Sequence, residues 1–160
     1  ELLGTPVQEE VFMATTLVPG INSVKLNPYE VGEIWHLIAP LLQTSVDHNG
    51  GEYGLDEIHV RALNGSVIVW VAYIGQKIYA CCVAEIAVYP NMQVYRILLL
   101  AGKHFELWSH FEAYLEEDAR KLSCSQIEAI CRPGMAAKLY PKGYGQTAVI
   151  VRKTVNRSTH

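Results

Sequence analysis

Three runs rich in β-branched and aromatic residues, 66–73, 77–89 and 94–101, follow one another with only short interruptions. Such runs suit a pleated surface that is at least half buried, and they leave no room for a helix between them. The first two are separated by Ile74-Gly75-Gln76 and the next two by Tyr89-Pro90-Asn91-Met92-Gln93. Connections this short force antiparallel neighbours, so a three-stranded meander is expected at the centre of the fold. Everything else in the chain must cover its faces or extend its edges.

The flanking segments carry the signals for both. INSVKL at 21–26 reads as a short strand, and Asn27-Pro28-Tyr29-Glu30 supplies an N-cap, a proline at the first helical position and a glutamate three residues after the cap. Val31, Ile34, Trp35, Ile38, Leu41 and Leu42 then form an amphipathic stripe in which Pro40 predicts a kink or an early end. A turn-rich loop over 48–54 leads to a short helix, 55–63, stopped by Asn64-Gly65. After the meander, 105–122 reads as a long helix with its stripe on Trp108, Phe111, Leu115, Ala119 and Leu122. A buried strand is expected over 126–130, a short helix over 133–140 and a final strand over 144–155. Residues 1–20, punctuated by Pro6, Pro19 and Gly20, read as an arm, and 156–160 as a polar tail. The fold class is α/β (α+β), one domain over 21–155 with a mixed, mostly antiparallel sheet flanked by helices.

Composition narrows the function classes. With 160 residues, 50% hydrophobic, and 13 Lys+Arg against 16 Asp+Glu, the chain is expected to bury a proper core without staples. A net charge of −3 argues against a main role in gripping nucleic-acid phosphates, for which Arg132, Lys138, Lys142, Arg152 and Lys153 are the only local concentration of cations. Apolar runs are too short for a membrane-spanning helix, and the first residues lack the basic and apolar regions of a secretory signal. Cys81 and Cys82 are adjacent and point to opposite faces of one strand, while Cys124 and Cys131 lack metal spacing, so reduced thiols are expected. His104 and His110 are six apart and do not share a helix face, and His36, His48 and His59 have no partner at ligand spacing, so no metal is expected.

The element order, with a long helix crossing between two strands of one sheet, resembles the N-acetyltransferase-related (GNAT) fold. Over 97–152 the chain also resembles GNAT-like proteins encoded by tailed bacteriophages, on Cys131, Arg132, Gly134, Met135, Leu139, Gly143 and Tyr144, where Cys131 replaces a glycine and Met135 a tryptophan of that pattern. The resemblance implies binding of acetyl-CoA and transfer of an acyl group to an amine. It places Ala101, Gly102, Lys103 and His104 at the cofactor's pyrophosphate, although the family's repeated glycines are reduced here to one. Glu85, inside an apolar strand, becomes the base for the amine, with a salt bridge to Arg96 as its alternative role. By analogy with a tyrosine near the thiol in GNAT enzymes, Tyr144 and Tyr140 become candidate acids. If CoA binds there, a β-branched residue at Gly102 is expected to abolish binding with little loss of fold. The reduced glycine loop also suits a second reading, a non-catalytic virion protein using a degenerate GNAT fold as an assembly module. Its arm would pair with other phage structural proteins or with another copy in a homo-oligomer, in the host cytoplasm or the virion.

Overall fold

The computed structural model describes residues 20–48, 51–102 and 108–156. Most of the expected arm, together with Lys103 and His104, lies outside the described residues. The meander forms as β2 (Ile68–Ile74), β3 (Lys77–Tyr89) and β4 (Met92–Gly102). The turn from β2 to β3 contains Gly75 at φ 59°, a left-handed angle that glycine adopts without a steric penalty. β1 (Asn22–Leu26) extends the meander antiparallel to β2, and β5 (Gln126–Ala129) adds parallel to β4, giving the order β1-β2-β3-β4-β5. The architecture is therefore α+β with a mixed, mostly antiparallel sheet.

One face of the sheet is covered by α1 (Pro28–Asp47) and α2 (Leu55–Leu63). The Asn27 side chain accepts from the Glu30 amide at 2.8 Å and the Glu30 carboxylate from the Asn27 amide at 2.9 Å, which satisfies two donors that the helix start leaves open. Pro40 does not end α1; the helix runs to Asp47 and departs from helical angles earlier, at Ile34 (φ −116°, ψ 15°). Val31, Ile34, Ile38 and Leu42 pack with Ile58 and Ala62 of α2 onto Val69, Val71, Cys81, Val83 and Leu99 of the sheet. Both adjacent thiols are buried and free, and burial pushes that of Cys82 up to about 12.

The other face takes α3 (Trp108–Lys121), which buries Phe111, Leu115 and Ala119. Tyr114 sets its ring 5.5 Å from that of Trp70. Beside this contact the sheet and helix are joined by a polar chain. The Trp70 indole donates to the Tyr95 hydroxyl at 3.1 Å, which donates to Asp118 Oδ2 at 2.9 Å, while Lys25 Nζ donates to Asp118 Oδ1 at 2.6 Å. Burial and the neighbouring Asp118 charge push the Tyr95 hydroxyl well above its ordinary value, so it acts here as a neutral donor.

The chain packs as two compact units, the first through Ala129 and the second from Ile130. In the second, α4 (Pro133–Leu139) passes into a single 3-10 turn, Tyr140–Lys142, which ends at Gly143 in the left-handed region at φ 93°. Two sequence expectations change here. The strand expected over 126–130 ends at Ala129 and is half-exposed rather than buried, because among the described residues it is the last strand of the sheet and has one neighbour. The strand expected over 144–155 does not form: 144–156 has no regular structure and pairs with no strand among the described residues. Its side chains stand in solvent, Val149 at 71% and Val151 at 87% exposure. No helix among the described residues is long and apolar enough to cross a membrane.

Candidate functional site

β4 outruns its parallel neighbour. The β4–β5 ladder consists of Val94↔Gln126, Tyr95↔Ile127, Arg96↔Glu128 and Ile97↔Ala129, whereas pairing with β3 continues to Ala80↔Gly102. Between the two ends the β3–β4 register slips: Val83 faces Leu99 and Ala84 faces Ile97, so Leu98 is the extra residue of a bulge. A bulge bends its strand and sharpens the local twist. Beyond it, residues 98–102 hold β3 on one edge and no strand on the other among the described residues. Such an edge presents backbone donors and acceptors to an extended ligand.

Of the four positions assigned to the cofactor, two lie at the end of this edge. The Ala101 side chain is buried in the core beneath α1 and α2, so only its backbone faces outward from that core. Gly102 adopts φ 149°, and a Cβ there would lie 2.9 Å from Ala80 Cβ and 3.1 Å from the Tyr79 carbonyl oxygen. This glycine is thus required by packing against β3. The expectation that a β-branched replacement leaves the fold nearly untouched is corrected accordingly.

Glu85, Arg96 and Glu128 form a row across β3, β4 and β5, one step before the bulge. Arg96 Nη1 reaches Glu85 Oε2 at 3.2 Å, Arg96 Nε reaches Glu128 Oε2 at 2.7 Å, and Arg96 Nη2 donates to the Tyr89 hydroxyl at 2.6 Å. From α2, Arg61 Nη2 reaches Glu85 Oε1 at 2.6 Å. The Glu85 side chain is 16% exposed and both its oxygens hold guanidinium donors, so a base role would have to displace one of them. The hydrogen bond that Arg96 donates to Glu128 pushes its guanidinium further up, fixing its charge. Removing it strands partly buried acceptors, and Arg96→Ala is expected to cost roughly 2–3 kcal/mol, read as a lower midpoint in guanidinium chloride unfolding.

Tyr140 and Tyr144 belong to the second unit. Tyr140 is 45% exposed, and the Tyr144 amide donates to the Leu139 carbonyl at 3.4 Å. His59, considered among the histidines, stacks flat on Trp35 with ring centroids 4.2 Å apart. Among the described residues no three His, Cys, Asp or Glu side chains converge on a metal-sized site.

The fold as a whole is shared by acetyltransferases of known structure. An aminoglycoside acetyltransferase from an uncultured soil metagenomic sample, solved in complex with sisomicin, superposes with a TM-score of 0.65 at 10% identity, covering 86% of this chain and 97% of that one. A predicted acetyltransferase with acetyl-CoA from Clostridium acetobutylicum gives 0.63 at 11% identity, over 84% and 96% of the two chains. The ribosomal-protein-alanine N-acetyltransferase of Brucella melitensis biovar Abortus 2308 gives 0.60 at 12%, over 84% and 99%. The chain has the GNAT acetyltransferase fold. At these identities the likeness is one of fold, and it carries no substrate with it. No protein-family profile matches the sequence, and no curated protein matches it.

Proposed function

We propose that the protein is an acyl-CoA-dependent N-acyltransferase whose acceptor is an amine. The observation that carries this reading is the parted edge: β4 continues past its last pair with β5 for residues 98–102, on a fold whose solved neighbours include one with acetyl-CoA. That edge suits an extended pantetheine arm, with Ala101 and Gly102 at its end and Lys103 and His104, which follow in sequence, as the further residues assigned to the pyrophosphate. The bound cofactor supplies an activated acyl thioester. Glu85 receives the proton the amine gives up, which requires Arg61 to leave Oε1 while Arg96 keeps Oε2 within the sheet. Tyr144, with Tyr140 as the second candidate, returns a proton to the departing thiolate. The acceptors of the neighbours, an aminoglycoside in one and a ribosomal-protein alanine in another, suggest sisomicin and an alanyl peptide as first probes.

Calorimetric titration of the full chain with acetyl-CoA is expected to give micromolar binding, about −8 kcal/mol. Thiol release with either amine is expected to fall roughly 100-fold in Glu85→Gln, with acetyl-CoA affinity unchanged, as a lost general base requires. No binding of acetyl-CoA to the folded chain overturns the reading.

A further inference from the structure

Arg61 and Arg96 both hold Glu85, and they hold it differently. Arg96 stands on β4 and is fixed at three points, by Glu85, Glu128 and the Tyr89 hydroxyl. Arg61 reaches Glu85 Oε1 from α2 at 2.6 Å, and Glu85 is its one side-chain partner among the described residues. A guanidinium carries five N–H donors in a planar fork, so most of the Arg61 donors stay open, on a side chain that is 31% exposed. Open donors in that geometry suit a second carboxylate. Arg61 also lines an open depression of about 400 Å³ together with Asp56, Glu57 and Val60 of the same helix.

Arg61, Glu85, Arg96 and Glu128 alternate in sign along the row, and their charges sum to zero. An acceptor with an ammonium alone, arriving at Glu85 Oε1, turns Arg61 away and leaves the row one positive charge in excess. A guanidinium without its anion then faces the ammonium it has admitted, which is costly where both are partly buried. Glu57, four residues before Arg61, is already engaged, since its Oε2 accepts from the Gly54 amide at 2.5 Å. An acceptor that brings its own carboxylate removes the difficulty. Its ammonium takes Glu85 Oε1, its carboxylate takes Arg61, and every charge keeps a partner. Asp56 and Glu57 set a limit: two carboxylates lining the depression repel an acceptor that bears a second one.

We propose that the acceptor is a free amino acid with a neutral or basic side chain, and that Arg61 selects it by exchanging Glu85 for the acceptor's carboxylate. This rests on the acyltransferase reading and names its substrate class. In the transfer the amine nitrogen bonds the acyl carbon and the C–S bond breaks. Of the two protons the ammonium sheds, one leaves through Glu85 to water and one ends on the CoA thiol.

The test uses the full chain with acetyl-CoA and reads thiol release. The twenty common amino acids are screened, and each that reacts is set against its decarboxylated amine, as phenylalanine against phenethylamine. The parent is expected to favour the amino acid by roughly 10–100-fold in kcat/KM, the worth of a charge-assisted pair, with aspartate and glutamate the poorest of the twenty. Arg61→Gln is expected to erase the preference from both sides, lowering kcat/KM on the amino acid and raising it on the decarboxylated amine, because Oε1 is no longer held. Arg61→Lys is expected to keep part of it. A merely structural role for Arg61 would lower both acceptors together, and the parent comparison decides even where a variant is unstable. Transfer to sisomicin or an alanyl peptide but to no amino acid, an amine used as well as its amino acid, or a preference that survives Arg61→Gln overturns the proposal and leaves the acyltransferase reading standing. Failure to bind acetyl-CoA overturns both.

Discussion

Replacing Asp118 with alanine is expected to lower the unfolding free energy by about 3 kcal/mol and the melting temperature by roughly 6–12 °C. Asp118 is 6% exposed and sits on α3, yet it accepts from two strands at once: from Tyr95 of β4 at 2.9 Å and from Lys25 of β1 at 2.6 Å. Alanine leaves the buried Tyr95 hydroxyl with a donor, Trp70, and no acceptor, and that orphaned group accounts for most of the loss. Lys25 contributes less, since its side chain is 42% exposed and water replaces the carboxylate. Asp118→Asn keeps an acceptor for Tyr95 and is expected to lose about half as much. The same logic orders the partners: Lys25→Met leaves a buried carboxylate without its cation, whereas adding Tyr95→Phe to Asp118→Ala removes the orphaned hydroxyl and recovers part of the loss. Thermal unfolding of these four variants checks the order, and an Asp118→Ala protein as stable as its parent would show that the chain of hydrogen bonds does not tie α3 to the sheet.

None of that chain was legible in the sequence, and the reason is separation. Lys25, Trp70, Tyr95 and Asp118 come from four elements, and neither spacing nor periodicity relates residues that only tertiary packing brings together. Where the signal was local, it held: the Asn27–Glu30 capping box, the stop of α2 at Asn64-Gly65, and the turn at Gly75 all form from residues within a few positions of one another. The Glu85–Arg96 pair stood between these cases, reachable once the meander register was assumed, while Arg61 and Glu128, which complete the network, were not. The run at 144–155 failed differently. Its composition is that of a strand, but a strand exists only with a partner, and pattern alone does not supply one. The candidate cofactor edge depends on a bulge at Leu98, and LLL at 98–100 gives no local cue to a register slip.

Gly102 decides how the acyltransferase reading is to be tested, because Gly102→Val is expected to destabilise the protein by roughly 2–6 kcal/mol with no cofactor present. Two effects add. The backbone at φ 149° is one that side-chain-bearing residues rarely adopt, and a Cβ would stand 2.9 Å from Ala80 Cβ, inside the distance real Cβ atoms keep. Because the first added atom already makes the contact, Gly102→Ala is expected to show much of the loss, and the valine methyls add the remainder. Ala80→Gly opens the space opposite, so the double variant Ala80→Gly/Gly102→Ala is expected to recover the packing part and leave the backbone part, relative to Ala80→Gly alone. Denaturant unfolding of this cycle separates the two. If Gly102→Val were as stable as the parent, β4 could not be held against Ala80 at its last pair, and the edge beyond the bulge would have a different shape from the one described. Loss of acetyl-CoA binding in a Gly102 variant therefore counts toward a pyrophosphate contact only at temperatures where that variant is still folded, and Glu85→Gln, whose side chain lies outside this contact, is the cleaner probe of the chemistry.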